Sequence, residues 1–377
     1  MTRLGRMAHS LRWLPAYLGQ RVGRARRAGR PAHLIIALAD HFEPAIVPGR
    51  PWDFADHGIQ EERLERWCRM YPSAVDRWRD SDGRPLPHTY FYPAEQYEKG
   101  LIDRLAEHCR EGWGEVEIHL HHGHREPDTP EGARLALATF AERLGTHGCL
   151  SRWEGTGELR YAFVHGNWAL ANSAGGRFCG VDGEMQILAD TGCYADFTLP
   201  SAPNPAQVAK INALYECTLP LNRRAPHRRG RDLRVGRRPA TFPLIVQGPL
   251  GVDFSGRRGL MPAIENGALT GLRPPTLARL ELWRRAGIIV QGRPDWLYIK
   301  LHCHGMDPRD EPAMLGEPLR AFLRALTESA ASDGTRLHFV TAREMVNIAL
   351  AACDGLEGPP GAYRDYRLRP ITPRRVP

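Results

Sequence analysis

Short runs of apolar residues alternate along the chain with longer segments in which apolar residues recur every three or four positions. The short runs predict β-strands and the longer segments predict amphipathic helices. The predicted strands are 34–40, 88–92, 115–121, 160–165, 195–199, 243–248, 297–303 and 336–340. The predicted helices are 60–70, 95–111, 130–145, 183–191, 205–216, 274–286, 316–330 and 341–352.

Two of the predicted helices begin with clear capping signals. Thr129 precedes Pro130 and Glu131, and Thr341 precedes the sequence Ala-Arg-Glu, which is the order of a capping box. Strands that alternate with helices indicate parallel β-α-β units and therefore an α/β fold. With about eight such repeats, we predict a (β/α) barrel of seven or eight strands, regular or distorted, in preference to an open sheet.

The composition divides the chain into a body and three arginine-rich segments. We predict that the barrel occupies residues 33–354, preceded by a basic N-terminal arm at 1–32 and followed by a Pro/Arg-rich tail at 355–377 that covers the surface. Residues 220–242 contain eight arginines and interrupt the alternation, which predicts a long surface loop inserted into the barrel. The loop either contacts an anionic ligand or is simply solvated.

The net charge of the chain is concentrated in the arm. Lys and Arg number 51 against 43 Asp and Glu, which gives a formal net charge of +8. Residues 1–39 contain eight arginines and no acid, so the remainder of the chain is neutral. A neutral body without a recognisable DNA- or RNA-binding module predicts no nucleic-acid partner.

The same arm bears on the expected location of the protein. The longest uninterrupted apolar run, Leu34–Ala39, has six residues, whereas a membrane helix needs about 20. No apolar segment follows the first arginines, so we predict no secretory signal and a cytoplasmic location. Residues 10–30 mix apolar and basic side chains, which indicates either peripheral contact with a membrane or a helix packed on the domain. The eight cysteines lack a CxxC spacing and are expected to be reduced thiols.

Histidines are concentrated where the predicted strands end, which is where parallel barrels place reactive groups. These strand-end histidines are His41, His119, His121, His122, His124, His165, His302 and His304. Strand alternation puts His119 and His121 on one side of their strand. Together with Asp40, the imidazoles predict a catalytic site for a divalent metal ion, with Zn²⁺ as the favoured ion.

Two neighbours of this cluster receive separate interpretations. His124 lies beyond the strand in a glycine-containing turn and is expected to be structural. Glu43 has two open roles, an ion pair with Arg125 or a hydrogen bond to a ligand histidine.

Five segments, in this order along the chain, resemble the polysaccharide deacetylases of the NodB-homology group, within the glycoside hydrolase/deacetylase β/α-barrel superfamily. The segments are Asp40-His41, EIHLHHGH (117–124), FVHGNWA (163–169), GCYADFTLPSAP (192–203) and KLHCHG (300–305). The last strand and helix, LHFVTAREM (337–345), are also similar to the family, and the resemblance spans about residues 33–352.

The resemblance implies a metal-dependent hydrolase that removes N-acetyl groups from amino sugars in a polysaccharide or its precursor, as in exopolysaccharide biosynthesis. The implied metal ligands come from the set Asp40, His41, His119, His121 and His122. Asp40 would be the catalytic base or a ligand, and His302 or His304 would protonate the leaving amine. The residues implied to contact the saccharide are His165, Asn167, Trp168 and Asp196.

The chain departs from the family at three points. His41 replaces the second acid of the usual Asp-Asp pair, so either Asp40 performs one role alone or His41 becomes a ligand. The candidate ligand pairs His119/His121 and His119/His122 are two and three residues apart instead of four. Gly166-Asn167 stands in place of the Arg-x-Pro element.

Two other functions remain open on the same predicted barrel. A glycoside hydrolase would need a second carboxylate facing Asp40 at roughly 5–10 Å, for which Asp196 and Asp253 are the candidates. The missing second aspartate would also suit a sugar-binding homologue without catalytic activity.

Overall fold

All eight predicted strands are present in the computed structural model, which describes residues 11–25, 32–50, 53–123, 127–176, 178–254 and 262–375. Further short strands, of three or four residues, occur between them and after them. The strands are β1 His33–His41, β2 His88–Pro93, β3 Gly114–Leu120, β4 Ser151–Trp153, β5 Leu159–His165, β6 Cys193–Asp196, β7 Leu214–Cys217, β8 Gly230–Asp232, β9 Leu244–Val246, β10 Gly251–Asp253, β11 Ala263–Glu265, β12 Trp296–Cys303, β13 Arg336–Val340 and β14 Leu368–Pro370.

Most of these strands belong to one large, mainly parallel sheet. Its order is β12-β1-β2-β3-β5-β6-β9-β7-β8, and β13 pairs with the first half of β1. β7 runs antiparallel to both β8 and β9. The α/β class is therefore confirmed. Within the described residues no ladder joins β12 to β8, so a closed barrel remains a prediction.

Helices connect the parallel strands, as the apolar periodicity predicts. They are α1 Leu14–Ala25, α2 His57–Val75, α3 Lys99–His108, α4 Pro130–Thr146, α5 Glu184–Asp190, α6 Leu277–Ala286, α7 Glu311–Leu315, α8 Glu317–Asp333 and α9 Ala342–Cys353. Thr129 caps α4 by accepting a hydrogen bond from Gly132 N, and Thr341 forms a capping box with Glu344 at α9. The helix predicted over 205–216 is wrong. Its last residues belong to β7, which lies between β8 and β9. Pairing with these two strands overrides the helical propensity of the segment.

The described part of the N-terminal arm packs against the sheet domain. Trp13 is fully buried in a cluster with Ile211, and Gln20 Nε2 donates to the Ile211 carbonyl at 2.9 Å. Leu18 and Val22 are exposed on α1. Contact of this arm with a membrane surface remains a prediction. None of the described helices is long and apolar enough to cross a bilayer.

The arginine-rich loop and the tail both make specific contacts with the body. Within 220–242, β8 pairs with β7 and Arg231 lies 2.8 Å from Glu216. In the tail, β14 pairs with β4, and the Arg364 guanidinium is buried beside three carboxylates. The eight cysteines are all buried, and none forms a disulfide.

Alternation along β1 decides which residues reach the functional site. Ala39 is in register with His302, and Asp40 is in register with Cys303. Ala39, His41 and His302 therefore point to one face of the sheet, and Asp40 and Cys303 point to the other. The second face is covered by α2, whose Trp67 is fully buried.

Candidate metal centre in the cleft

A cleft of about 310 Å³ opens at the carboxyl ends of β1, β2, β3, β5 and β12. This edge of the sheet is where parallel α/β folds place their sites. The polar residues that line the cleft include His41, Glu43, Glu95, His121, Trp168 and His304. The cleft is thus rich in imidazole and carboxylate groups.

The floor of the cleft brings several ligand atoms together around Glu43. Glu43 Oε1 lies 3.5 Å from His119 Nε2 and 3.8 Å from His121 Nε2. His41, Glu43 and His119 each offer a ligand atom within 4.8 Å of the others. Ligands of a tetrahedral Zn²⁺ ion at about 2.0–2.1 Å are separated by about 3.3 Å, so the spacing suits a small divalent ion.

The far side of each imidazole ring is held by a hydrogen bond. His119 Nδ1 donates to the Val164 carbonyl at 2.8 Å, and His121 Nδ1 donates to Glu95 Oε1 at 2.5 Å. Both rings therefore present Nε2 to Glu43. His119 Nε2 is buried and has no hydrogen-bond partner among the described residues. An anchored Nδ1 with a free Nε2 is the usual arrangement of a metal-binding histidine.

The electrostatics of the cleft favour a positive charge at this point. Burial alone would raise the pKa of Glu43, but the neighbouring imidazoles of His121, His119 and His304 lower it to about 2. Burial alone would lower the pKa of His121, but Glu43 and Glu95 raise it to about 9. Burial and then the neighbouring imidazole of His304 lower the pKa of His41 well below its usual value. In the absence of a metal ion, the carboxylates thus retain a proton on His121.

The structure does not bring Asp40 to this cleft. Its carboxylate is fully buried on the opposite face, where Oδ2 accepts from His88 Nε2 at 2.8 Å and Oδ1 accepts from Gly305 N at 2.8 Å. Asp40, His88 and Cys303 form a separate group of ligand types on that face. Asp40 therefore anchors the turn that follows β12.

The two histidines of β12 and its following turn lie beside His41. The ring of His304 is 4.6 Å from that of His41 and lines the cleft. His302 lies deeper, with its ring 6.5 Å from that of His41. Only His304 of the pair lines the cleft and could reach a bound molecule without rearrangement.

Three further predicted site residues, besides Asp40 and His302, lie away from the cleft and from the group around Glu43. His122 and His165 are fully buried and belong to a second group with Glu184. Asp196 is fully buried, and its carboxylate accepts hydrogen bonds from the backbone nitrogen and the hydroxyl of Thr198. His124 falls outside the described residues.

Asn167 and Trp168 form one wall of the cleft in an uncommon backbone conformation. Their φ angles are 58° and 56°, in the left-handed region that non-glycine residues rarely adopt. Asn167 Nδ2 and Trp168 Nε1 have no acceptor in the described part of the chain. Gly166 is required beside them, because a Cβ there would lie 2.5 Å from His121 Cδ2. The wall therefore offers the side chains of Asn167 and Trp168 to the cleft, while their two N–H donors are buried.

Sequence reasoning gave Glu43 only a supporting role and did not single out Glu95. Both carboxylates follow directly on a strand, Glu43 two residues after β1 and Glu95 two residues after β2. The same strand-end position that singled out the histidines is thus the signal that identifies these acids.

Comparisons with known proteins leave the family open. No family model matches the chain, and no curated protein matches it. A solved structure from Mycobacterium smegmatis, which carries a provisional name as a polysaccharide deacetylase, superposes with a TM-score of 0.45 at 16% sequence identity. The match covers 87% of this chain and 93% of that chain. The functional argument therefore rests on the side chains described above.

Proposed function

We propose that the chain is a metal-dependent hydrolase that removes N-acetyl groups from amino sugars in a polysaccharide or its precursor. The observation that supports it best is the convergence of His119 and His121 on Glu43 at the floor of an open cleft. The substrate class comes from the family resemblance of the strand-end segments. A sugar precursor in the cytoplasm is the form of substrate that the predicted location favours.

The proposed ligands are Glu43, His119 and His121, and His41 is a further donor within reach. Imidazole nitrogens and one carboxylate form a donor set typical of catalytic Zn²⁺. A divalent ion bound there would polarise an amide carbonyl and lower the pKa of a water molecule. Glu95 orients His121 through Nδ1, a contact of the kind whose loss weakens metal affinity by about 10–100-fold.

Other residues of the cleft supply the remaining steps of amide hydrolysis. Glu43 contacts both imidazoles through Oε1, and we assign its Oε2 as the proton acceptor. His304 lines the cleft beside His41 and would protonate the leaving amine. The Trp168 indole and the Asn167 amide would contact the sugar ring and its oxygens, as aromatic and amide groups commonly do.

The cleft favours this function over the two alternatives. Neither Asp196 nor Asp253 lines it, so neither provides the second acid of a glycoside hydrolase. The cleft carboxylates Glu43 and Glu95 both lie beside histidines and have lowered pKa values despite burial, whereas a glycosidase needs one protonated acid. The third carboxylate of the cleft, Asp53, is exposed and pairs with Arg50 at 3.5 Å. The non-catalytic alternative was suggested by His41, which stands where the family has a second aspartate. Glu43 supplies a carboxylate to the cleft in its place, so the protein can be active without that aspartate.

Acetate release from N-acetylglucosamine oligomers tests the proposal. We expect release by the zinc-loaded protein, its loss after chelation and its return when Zn²⁺ is added. His121→Ala should abolish release. The matched control is His57→Ala, which removes an exposed imidazole at the start of α2 and should leave release unchanged. No acetate from any oligomer with the zinc-loaded wild type would contradict the proposal.

A further inference from the structure

A second group of metal-ligand types lies behind the cleft and is closed to solvent. His122, His165 and Glu184 each offer a ligand atom within 4.8 Å of the others, and all three side chains are fully buried. His122 follows β3, His165 ends β5 and Glu184 begins α5. The centre around Glu43 draws on His41, Glu43 and His119 instead, so the two groups share no side chain.

Hydrogen bonds on the far side of each ring fix which atoms face the centre of this group. His122 Nδ1 donates to Asp128, and His165 Nδ1 donates to the Gly166 carbonyl. Both rings therefore direct Nε2 toward Glu184, at 2.6 Å from Oε1 for His122 and 3.4 Å from Oε2 for His165. Glu184 Oε2 in addition accepts from Ala171 N at 2.5 Å.

The atoms that face one another can share a cation, which can be a proton on His122 or a metal ion. His122 Nε2, His165 Nε2 and Glu184 Oε1 have no hydrogen-bond partner of suitable geometry among the described residues. With both Nδ1 atoms acting as donors, each ring that is neutral presents an Nε2 lone pair to the carboxylate. One proton on His122 would relieve only one of these contacts and would leave the lone pair of His165 facing Glu184. Buried polar atoms left unpaired in this way destabilise the folded state.

A glycine keeps these atoms clear of a neighbouring side chain. A Cβ at Gly180 would lie 2.8 Å from Glu184 Oε2 and 2.9 Å from His165 Nε2. A further buried imidazole is available, because His227 interacts electrostatically with Glu184 and His165 and has neither ring nitrogen hydrogen-bonded within the described ranges.

We propose that His122, His165 and Glu184 bind a second, structural transition-metal ion of the Zn²⁺ class, with His227 as the candidate fourth ligand. A closed site with only protein ligands is typical of structural zinc. The ion would join the segment that holds His121 to the segment that holds Asn167 and Trp168. It would therefore fix two walls of the cleft relative to each other.

The test is the zinc content of purified full-length protein, measured by elemental mass spectrometry after loading with Zn²⁺ and desalting. We expect about two ions per chain in the wild type, and about one in both His165→Gln and His119→Ala. The ion that remains in His119→Ala should leave slowly on addition of a chelator, since its ligands are buried. The ion that remains in His165→Gln should leave fast.

The outcomes separate this site from the cleft site. A single ion that His165→Gln removes and His119→Ala retains supports the buried site and contradicts the proposed function. A single ion that only His119→Ala removes overturns the buried site, whose atoms would then share a proton or water. No zinc in the wild type overturns both. If His165→Gln does not fold, two wild-type ions with fast and slow chelator release support the buried site, and a single fast phase overturns it.

Discussion

Replacing Glu43 by glutamine is expected to lower kcat/KM for acetate release by about 10²–10⁴-fold, the range for loss of a group that transfers a proton. Glutamine keeps the size of the side chain but removes the charge on which His119 and His121 converge. Zinc content should fall as well, because a neutral amide is a poor ligand for Zn²⁺. Steady-state kinetics and elemental mass spectrometry on one preparation measure both effects.

The matched control is Asp40→Asn, the same loss of charge three residues earlier. Asp40 binds His88 and Gly305 on the opposite face, so we expect the variant to lose about 1–3 kcal/mol in free energy of unfolding. Its kcat/KM should stay within about tenfold of the wild type, or about 1.4 kcal/mol in activation free energy. A folded but inactive Asp40→Asn beside an active Glu43→Gln would instead restore Asp40 as the catalytic base or a metal ligand.

Replacing Arg364 by methionine is expected to lower the free energy of unfolding by about 3–5 kcal/mol, as for other broken buried ion pairs. The guanidinium is 3% exposed and lies 2.8 Å from Asp80, 2.8 Å from Asp82 and 3.3 Å from Glu344. Without it, these carboxylates lose their shared cation. Urea unfolding at constant m-value gives the change directly.

Arg369→Ala is the control for this second prediction, because Arg369 belongs to the same tail but forms an exposed ion pair with Glu154 at 2.9 Å. An exposed pair contributes about 0–1 kcal/mol. Small and equal changes in both variants would mean that the tail covers the fold without stabilising it.

The sequence predicts the strands that make the site because those strands are long and apolar. β1 and β12 are buried along nearly their whole length, so their apolar runs stand out in the sequence. Short strands such as β8 and β14 have three residues and no periodicity of their own. They form because a neighbouring strand offers unpaired backbone groups, which local sequence does not record.

The preference for reactive groups at the ends of parallel strands likewise locates the histidines, but it does not predict that they divide into two centres. His121 and His122 are adjacent in sequence, yet His121 faces the cleft and His122 faces Glu184. That division depends on how the chain turns after β3 and on the position of α5, which are tertiary features. Family resemblance drew attention to Asp40, whereas alternation along β1 directs Asp40 away from His41.

The most direct test of the metal centre is anomalous diffraction at the zinc absorption edge from crystals of the zinc-loaded protein. We predict an anomalous peak in the cleft, within about 2.0–2.2 Å of Glu43 Oε1 and of Nε2 of His119 and His121. A zinc-loaded crystal with no peak in the cleft, or with its zinc between Asp40, His88 and Cys303 instead, would contradict the assignment of the cleft as the metal centre.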